Sequence, residues 1–221
     1  MQNDMIYPFP DISLEVNQQA VWLISKKTLF GLSSAVLGGG LGEFRSLFIY
    51  HVDKEYNHPD PLKHLTQIAV DQNLPSPTIG LLTAAKLERT AIETISYADL
   101  LVCAIITAGV SNATSAGISL PVDYQKPGTI NIVVLVNRRL EPAAMVNAVI
   151  TITEAKTDCL RRLGIHTQTG EIASGTSTDT VVVAHTGDGQ PLAYAGAATP
   201  IGWLIGRVVR AALTKSLNGE G

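Results

Sequence analysis

Apolar residues along this chain follow two periods, one near two and one near 3.6 residues. Residues 20–25 and 28–32 alternate or run apolar around Lys26–Lys27, which predicts a hairpin. Residues 46–52 read as a further strand, and residues 53–61, charged and proline-bearing, as a surface loop. Asp60 can cap a helix with Pro61 at its first position, and Leu62, Leu65, Ile68 and Ala69 supply its buried stripe. Behind Pro75 and Pro77 comes a short buried strand over 78–83. Residues 84–96 have a helical pattern, 100–107 form a strand, and 128–136 form a central strand in which Ile130, Ile132, Val134 and Val136 alternate. A long helix is predicted over 142–163, stopped by Gly164, and a last strand over 180–184. Thr199 caps a closing helix with Pro200 in its first turn; its core stripe is Ile201, Leu204, Ile205, Val208, Val209, Ala212 and Leu213. Hairpins mixed with strand–helix–strand units predict an α/β fold: a single domain over residues 1–221 with a mixed β-sheet flanked by helices. Strand order is not contained in this pattern.

Composition narrows the function classes. Of 221 residues, 46% are hydrophobic and only 16% charged, so a sizeable core is available while the surface is short of charge. That shortage points to a subunit interface or a large pocket, and a homo-oligomer is one expectation. The net charge of −3 is spread without a basic block, which argues against nucleic acid as a partner. The start, Met1-Gln2-Asn3-Asp4, lacks the basic region of a signal peptide, and the apolar run 100–106 is too short to span a bilayer. Cys103 and Cys159 have no close partner spacing and read as free buried thiols of a reducing compartment. A cytoplasmic protein without a membrane partner is expected.

Two segments carry the densest candidate chemistry. Residues 109–117, Gly-Val-Ser-Asn-Ala-Thr-Ser-Ala-Gly, follow an apolar run; residues 175–179, Gly-Thr-Ser-Thr-Asp, precede one. Glycines let backbone approach a ligand, so two such loops at strand ends suggest a polar pocket at the rim of a sheet. Gly175, Thr176, Ser177 and Thr178 offer backbone donors and hydroxyls that could cradle an anion, form an oxyanion hole or present a nucleophile; the alternative is a turn that caps its own backbone. Asp179 could orient a water or pair with a lysine. Asn112 both donates and accepts, which suits recognition of another amide, or it is a turn residue. Ser33 and Ser34, ahead of Gly38–Gly40, form a third polar patch.

On a helical wheel, Met145, Val149, Ile152, Cys159 and Leu163 centre the apolar face of the 142–163 helix, and Lys156 falls among them. A lysine there must snorkel, find a carboxylate or titrate more easily. Glu154 lies on the opposite side with Asn147, Asp158 and Arg161, where a solvated face is the simpler reading. His51, His58, His64, His166 and His185 show no metal-binding spacing, no serine elbow appears, and the phosphate-loop pattern is missing, so a metal site and a nucleotide triphosphatase are both disfavoured.

The ordered set of pieces resembles the adenosylcobinamide amidohydrolase family of corrinoid salvage enzymes. They are 32–36 with Gly39–Gly40, 107–113, 128–132, 148–157 with its Thr-Glu-Ala-Lys-Thr run, 175–179, Tyr194-Ala195-Gly196, and 205–209 in the closing helix. The resemblance covers nearly the whole chain from about residue 20. It implies cleavage of the amide joining a corrinoid propionyl side chain to aminopropanol, giving adenosylcobyric acid. It implies no resident cofactor, since cobalt enters within the substrate, and it singles out Glu154, Lys156 and Asp179 as catalytic candidates. Family members often carry a His-Thr pair before the last helix, where this chain has Ala197-Ala198-Thr199.

Amide hydrolysis needs an activated nucleophile, oxyanion stabilisation and protonation of the leaving amine. Asp179 or Glu154 could be the base; Lys156 and the 175–178 backbone could hold the oxyanion. Water is the preferred attacker, with Thr176 or Thr178 as alternatives. Two other readings compete: a corrinoid- or nucleotide-binding protein without chemistry, and a structural subunit in which Gly202 and Gly206 serve close packing.

Overall fold

The computed structural model describes residues 5–121 and 128–218; Met1–Asp4, on which the signal-peptide reading rests, lie outside them. The elements run β1 (Ile6–Phe9), β2 (Ile12–Val16), β3 (Ala20–Ser33), β4 (Gly40–His51), α1 (Pro61–Asp71), β5 (Thr78–Thr83), β6 (Ala91–Tyr97) and β7 (Leu100–Ala108). There follow β8 (Ala113–Thr114), β9 (Ile130–Val136), α2 (Pro142–Arg162), β10 (Gly175–Thr176), β11 (Thr180–His185) and α3 (Pro200–Leu217). Nine strands form one mixed sheet in the order β1-β2-β3-β11-β9-β7-β6, with β4 on the other edge of β3 and β5 beyond it. The α/β architecture with helices outside a mixed sheet is as the pattern predicts.

Side-chain alternation explains the layering. In β7 and β9, Val102, Ala104, Ile106, Ile130, Ile132 and Val134 pack against α2 and α3. Their neighbours Cys103, Ile105, Val133 and Leu135 share a second core with Leu14, Val21, Leu23, Leu29, Phe44, Leu47 and Leu81 from β2 to β5. The sheet is therefore folded over on itself, and Asn131 of β9 reaches across to donate to the Leu82 carbonyl of β5, 2.9 Å away. On the outer face of β3 and β4, Ala20, Trp22 and Phe48 meet Leu65 and Ile68 of α1. The result is four layers, helix–sheet–sheet–helix. It is why β9 is buried at every position.

Two elements differ from the pattern-based expectation. The hairpin at Lys26–Lys27 is instead one continuous strand, β3, whose pairing with β4 slips between Ile24 and Leu29. A bulge leaves charged residues outside without reversing the chain. The helix expected over 84–96 is a 3-10 turn at Leu87–Arg89 followed by β6, which pairs antiparallel with β7 from Ala91↔Ile106 to Tyr97↔Leu100. Helical spacing of Ala84, Leu87 and Ala91 is outweighed by a full ladder on β7. The β1–β2 hairpin was missed, although Ile12, Leu14 and Val16 alternate; Ile12 and Leu14 are buried.

The helices end as their sequences dictate. Asp60 caps α1 by accepting from the Lys63 amide, Thr199 caps α3 by accepting from the Gly202 amide, and Gly164 follows α2 with φ +67°. In α3 the two glycines differ. A methyl at Gly202 would overlap the carbonyl oxygen of Gly196, whereas one at Gly206 would lie 3.9 Å from the Thr151 methyl. Gly202→Ala is thus expected to lower stability by about 1–3 kcal/mol, and Gly206→Ala to raise it by about 0.5–1 kcal/mol. Denaturant unfolding of the two variants gives opposite signs; equal effects would refute this packing account.

Candidate active site

Topology gathers the polar segments at one end of the sheet. β7 runs antiparallel to β9 and β9 parallel to β11, with Ala108 opposite Ile130 and Thr180 opposite Asn131. The end of β7 and the starts of β9 and β11 therefore coincide, as does the end of β3, where Ser33 sits opposite Val182. The 109–117 and 175–179 loops then pair directly, β8 against β10, with Gly175 opposite Thr114 and Thr176 opposite Ala113.

Behind this small ladder lies a buried ion pair. Lys156, 8% exposed, extends from the middle of α2 and donates to Asp179 Oδ2. Of the three outcomes open to a lysine on an apolar face, it takes the carboxylate. Asp179 Oδ1 accepts from the Thr176 hydroxyl, from the Thr176 amide at 3.1 Å and from the Ile130 amide at 3.2 Å. A methyl on Gly175 would overlap Asp179 Oδ2 and sit 2.6 Å from Lys156 Nζ, so only glycine leaves room for the pair.

Asn112 is 7% exposed. Its Nδ2 donates to the Gly128 carbonyl at 2.7 Å and to Ser177 Oγ at 2.8 Å. Its Oδ1 is buried with no hydrogen-bond partner, a state that costs about 1–3 kcal/mol when nothing fills it. Thr178 Oγ1 also donates to the Gly128 carbonyl, at 2.9 Å, and Thr129 Oγ1 donates to the Thr178 carbonyl at 2.7 Å. Asn112, Gly128, Thr129, Thr178 and Thr180 line a cavity of about 550 Å3 together with Val36, Val52, Tyr56 and Leu82. That volume falls within the range of small-molecule clefts. Thr176, 9% exposed, and Asp179 are not among the residues that line it.

The remaining candidates are placed elsewhere. Ser33 Oγ accepts from the Ala35 amide, and Ser34 Oγ accepts from the Val181 amide at 3.0 Å, so both tie β3 to its turn and to β11. Glu154 is exposed on the outer face of α2, beside a different hollow lined by Val149, Ile150, Asp158 and Arg161. Two positions along a helix from Lys156, it cannot share that residue's face. Asp158, next to it, is held well below the usual carboxylate range by hydrogen bonds from Arg162, Arg161 and Arg210. Gly128 and Thr129 were not singled out from sequence as site residues. The available signal was a glycine two residues ahead of a strand rich in Ile and Val.

Among the described residues, no group of three or more His, Cys, Asp or Glu side chains is arranged to hold a metal ion, and no helix is long and apolar enough to cross a membrane. Both cysteines are free and buried, and burial raises the Cys103 thiol to about 11.

Comparisons with known proteins agree across most of the chain. The family profile described as adenosylcobinamide amidohydrolase matches residues 10–220. An adenosylcobinamide amidohydrolase of Methanosarcina mazei is 31% identical over 189 residues, covering 81% of this chain and 86% of that protein. One from Halobacterium salinarum is 36% identical over 121 residues, 52% of this chain and 49% of the relative. Among solved structures, a Burkholderia beta-aminopeptidase aligns over 92% of this chain and 78% of its own at a TM-score of 0.46 and 10% identity, too distant to carry an argument about chemistry. The profile spans nearly the whole chain and the Methanosarcina relative shares its description, and the chain belongs to the adenosylcobinamide amidohydrolase family.

Proposed function

We propose that this protein hydrolyses the amide between the corrinoid propionyl side chain and aminopropanol in adenosylcobinamide, and that it does so where the 109–117 and 175–179 loops meet. The observation that carries the placement is the Thr176 hydroxyl donating to Asp179 while Lys156 grips the other carboxylate oxygen.

An ionised carboxylate offers about four lone-pair sites. Asp179 receives three donors from Thr176 and Ile130 and a fourth from Lys156. Little is left to accept a water, whereas the Thr176 proton already points at Oδ1. The geometry therefore favours Thr176 over water as attacker. As Thr176 Oγ1 bonds to the amide carbon, its proton passes to Asp179. When the C–N bond breaks, that proton leaves with aminopropanol, and water then cleaves the threonyl ester to release adenosylcobyric acid. Oxyanion stabilisation falls to the backbone amides that follow Thr176 and to Lys156. The cavity wall of Asn112, Thr129, Thr178 and Thr180 meets the amide fringe of the corrinoid, and no resident cofactor is required.

Incubating the purified, metal-chelated protein with adenosylcobinamide is expected to yield adenosylcobyric acid and aminopropanol by liquid chromatography and mass spectrometry. Rapid quenching should trap a corrinoid acyl group on the peptide containing Thr176. Glu154→Gln should retain turnover within about twofold, because an exposed side chain away from the reacting bond supplies none of these roles. Absence of product from folded protein, with metal restored, would sink the enzyme reading and leave a corrinoid-binding protein.

A further inference from the structure

Asn112 has one polar atom the folded chain does not use. Its orientation is not ambiguous: the Gly128 carbonyl can only accept, so the atom 2.7 Å from it is the amide nitrogen. Both N–H groups are then committed, one to Gly128 and one to Ser177 Oγ. Oδ1 is left buried and without a partner, on a residue that lines the cavity. The site is built to keep it so. A side chain at residue 128 would overlap Oδ1, and the two tethers come from the segments on either side, one before β9 and one in the turn before β11.

A rigid, neutral, buried acceptor selects a donor. Resting on the hydrolase reading above, we propose that Asn112 Oδ1 accepts the N–H of the scissile amide, so that this residue both registers the bond and distinguishes an amide from an ester. An ester differs from the amide at this position by having a lone pair where the amide has a hydrogen. Against a fixed carbonyl-type oxygen that lone pair is repelled as well as unpaired. Recognition of the N–H also fixes the plane of the amide, which sets the face that its carbon presents to the attacking oxygen.

The test compares two substrates in one protein sample, so that the fraction of active enzyme cancels. Adenosylcobinamide is run beside the ester in which oxygen replaces the aminopropanol nitrogen. For wild type and for Asn112→Ala, kcat/KM is measured on each. The amide value should fall at least tenfold further than the ester value in the variant, so the amide-to-ester ratio collapses. Asn112→Ser, a smaller disturbance to the Gly128 and Ser177 tethers, should move the ratio in the same direction. Equal losses on both substrates would mean that Asn112 only supports the loops, and would overturn the inference while leaving the hydrolase standing. If wild type cleaves neither substrate, the hydrolase reading itself fails and the inference falls with it.

Discussion

Asp179→Asn is expected to lower the single-turnover rate on adenosylcobinamide by about 10^2–10^4-fold, the usual worth of a positioned acid–base group. The substitution is nearly isosteric, yet neither orientation of the new amide satisfies its surroundings. With its oxygen toward Thr176 N and Ile130 N, its NH2 group faces the Lys156 ammonium, donor against donor. Turned over, the NH2 group faces two backbone N–H donors instead. In both cases the Thr176 hydroxyl loses the carboxylate that takes its proton. Binding followed through the corrinoid absorbance should weaken far less than turnover, because the cavity wall is formed by Asn112, Thr129 and Thr178 rather than by Asp179. Turnover within tenfold of wild type would remove Asp179 from the chemistry.

Lys156→Met should be the most destabilising change at the site, by about 2–4 kcal/mol, because it leaves a carboxylate only 14% exposed without its counter-charge. Methionine fills similar volume on the apolar face of α2, so the loss reports the charge and not a cavity. For a chain of this size, each kcal/mol shifts the midpoint of thermal unfolding by about 2–4 °C. The double variant Lys156→Met/Asp179→Asn removes both charges and the donor clash together. It should be more stable than the sum of the single losses predicts, with a coupling of about 1–3 kcal/mol, while remaining inactive. Strict additivity in denaturant unfolding would show that the two side chains do not depend on each other in the folded protein.

The contrast between Lys156 and Glu154 shows how the sequence was informative at this site. Both lie in the Thr-Glu-Ala-Lys-Thr run, and periodicity alone put them on opposite sides of the helix. The structure keeps that division: Lys156 is buried against Asp179 and Glu154 is exposed. Periodicity does not name a partner 23 residues away. The ion pair forms only because β11 lies parallel to β9, which brings the turn before β11 beneath α2.

By itself, then, the sequence determined what depends on local spacing and chemistry. The three helices with their Asp60 and Thr199 caps are of this kind, as are the Ile- and Val-rich strand β9, the two hydroxyl-rich loops and the ordered pieces that mark the family. Tertiary structure decided what depends on pairing between distant residues. It made 91–97 a strand, because β7 offered a complete antiparallel ladder to a segment whose own pattern reads as helical. It kept β3 continuous through Lys26–Lys27, because β4 pairs with it on both sides of the bulge. It also paired two separate loops, β8 against β10, with the Asn112 nitrogen spent on Gly128 and Ser177 and its oxygen left without a partner. Hydrogen-bond satisfaction is a property of the whole fold: a buried polar atom is paired or orphaned only once every neighbouring segment is in place.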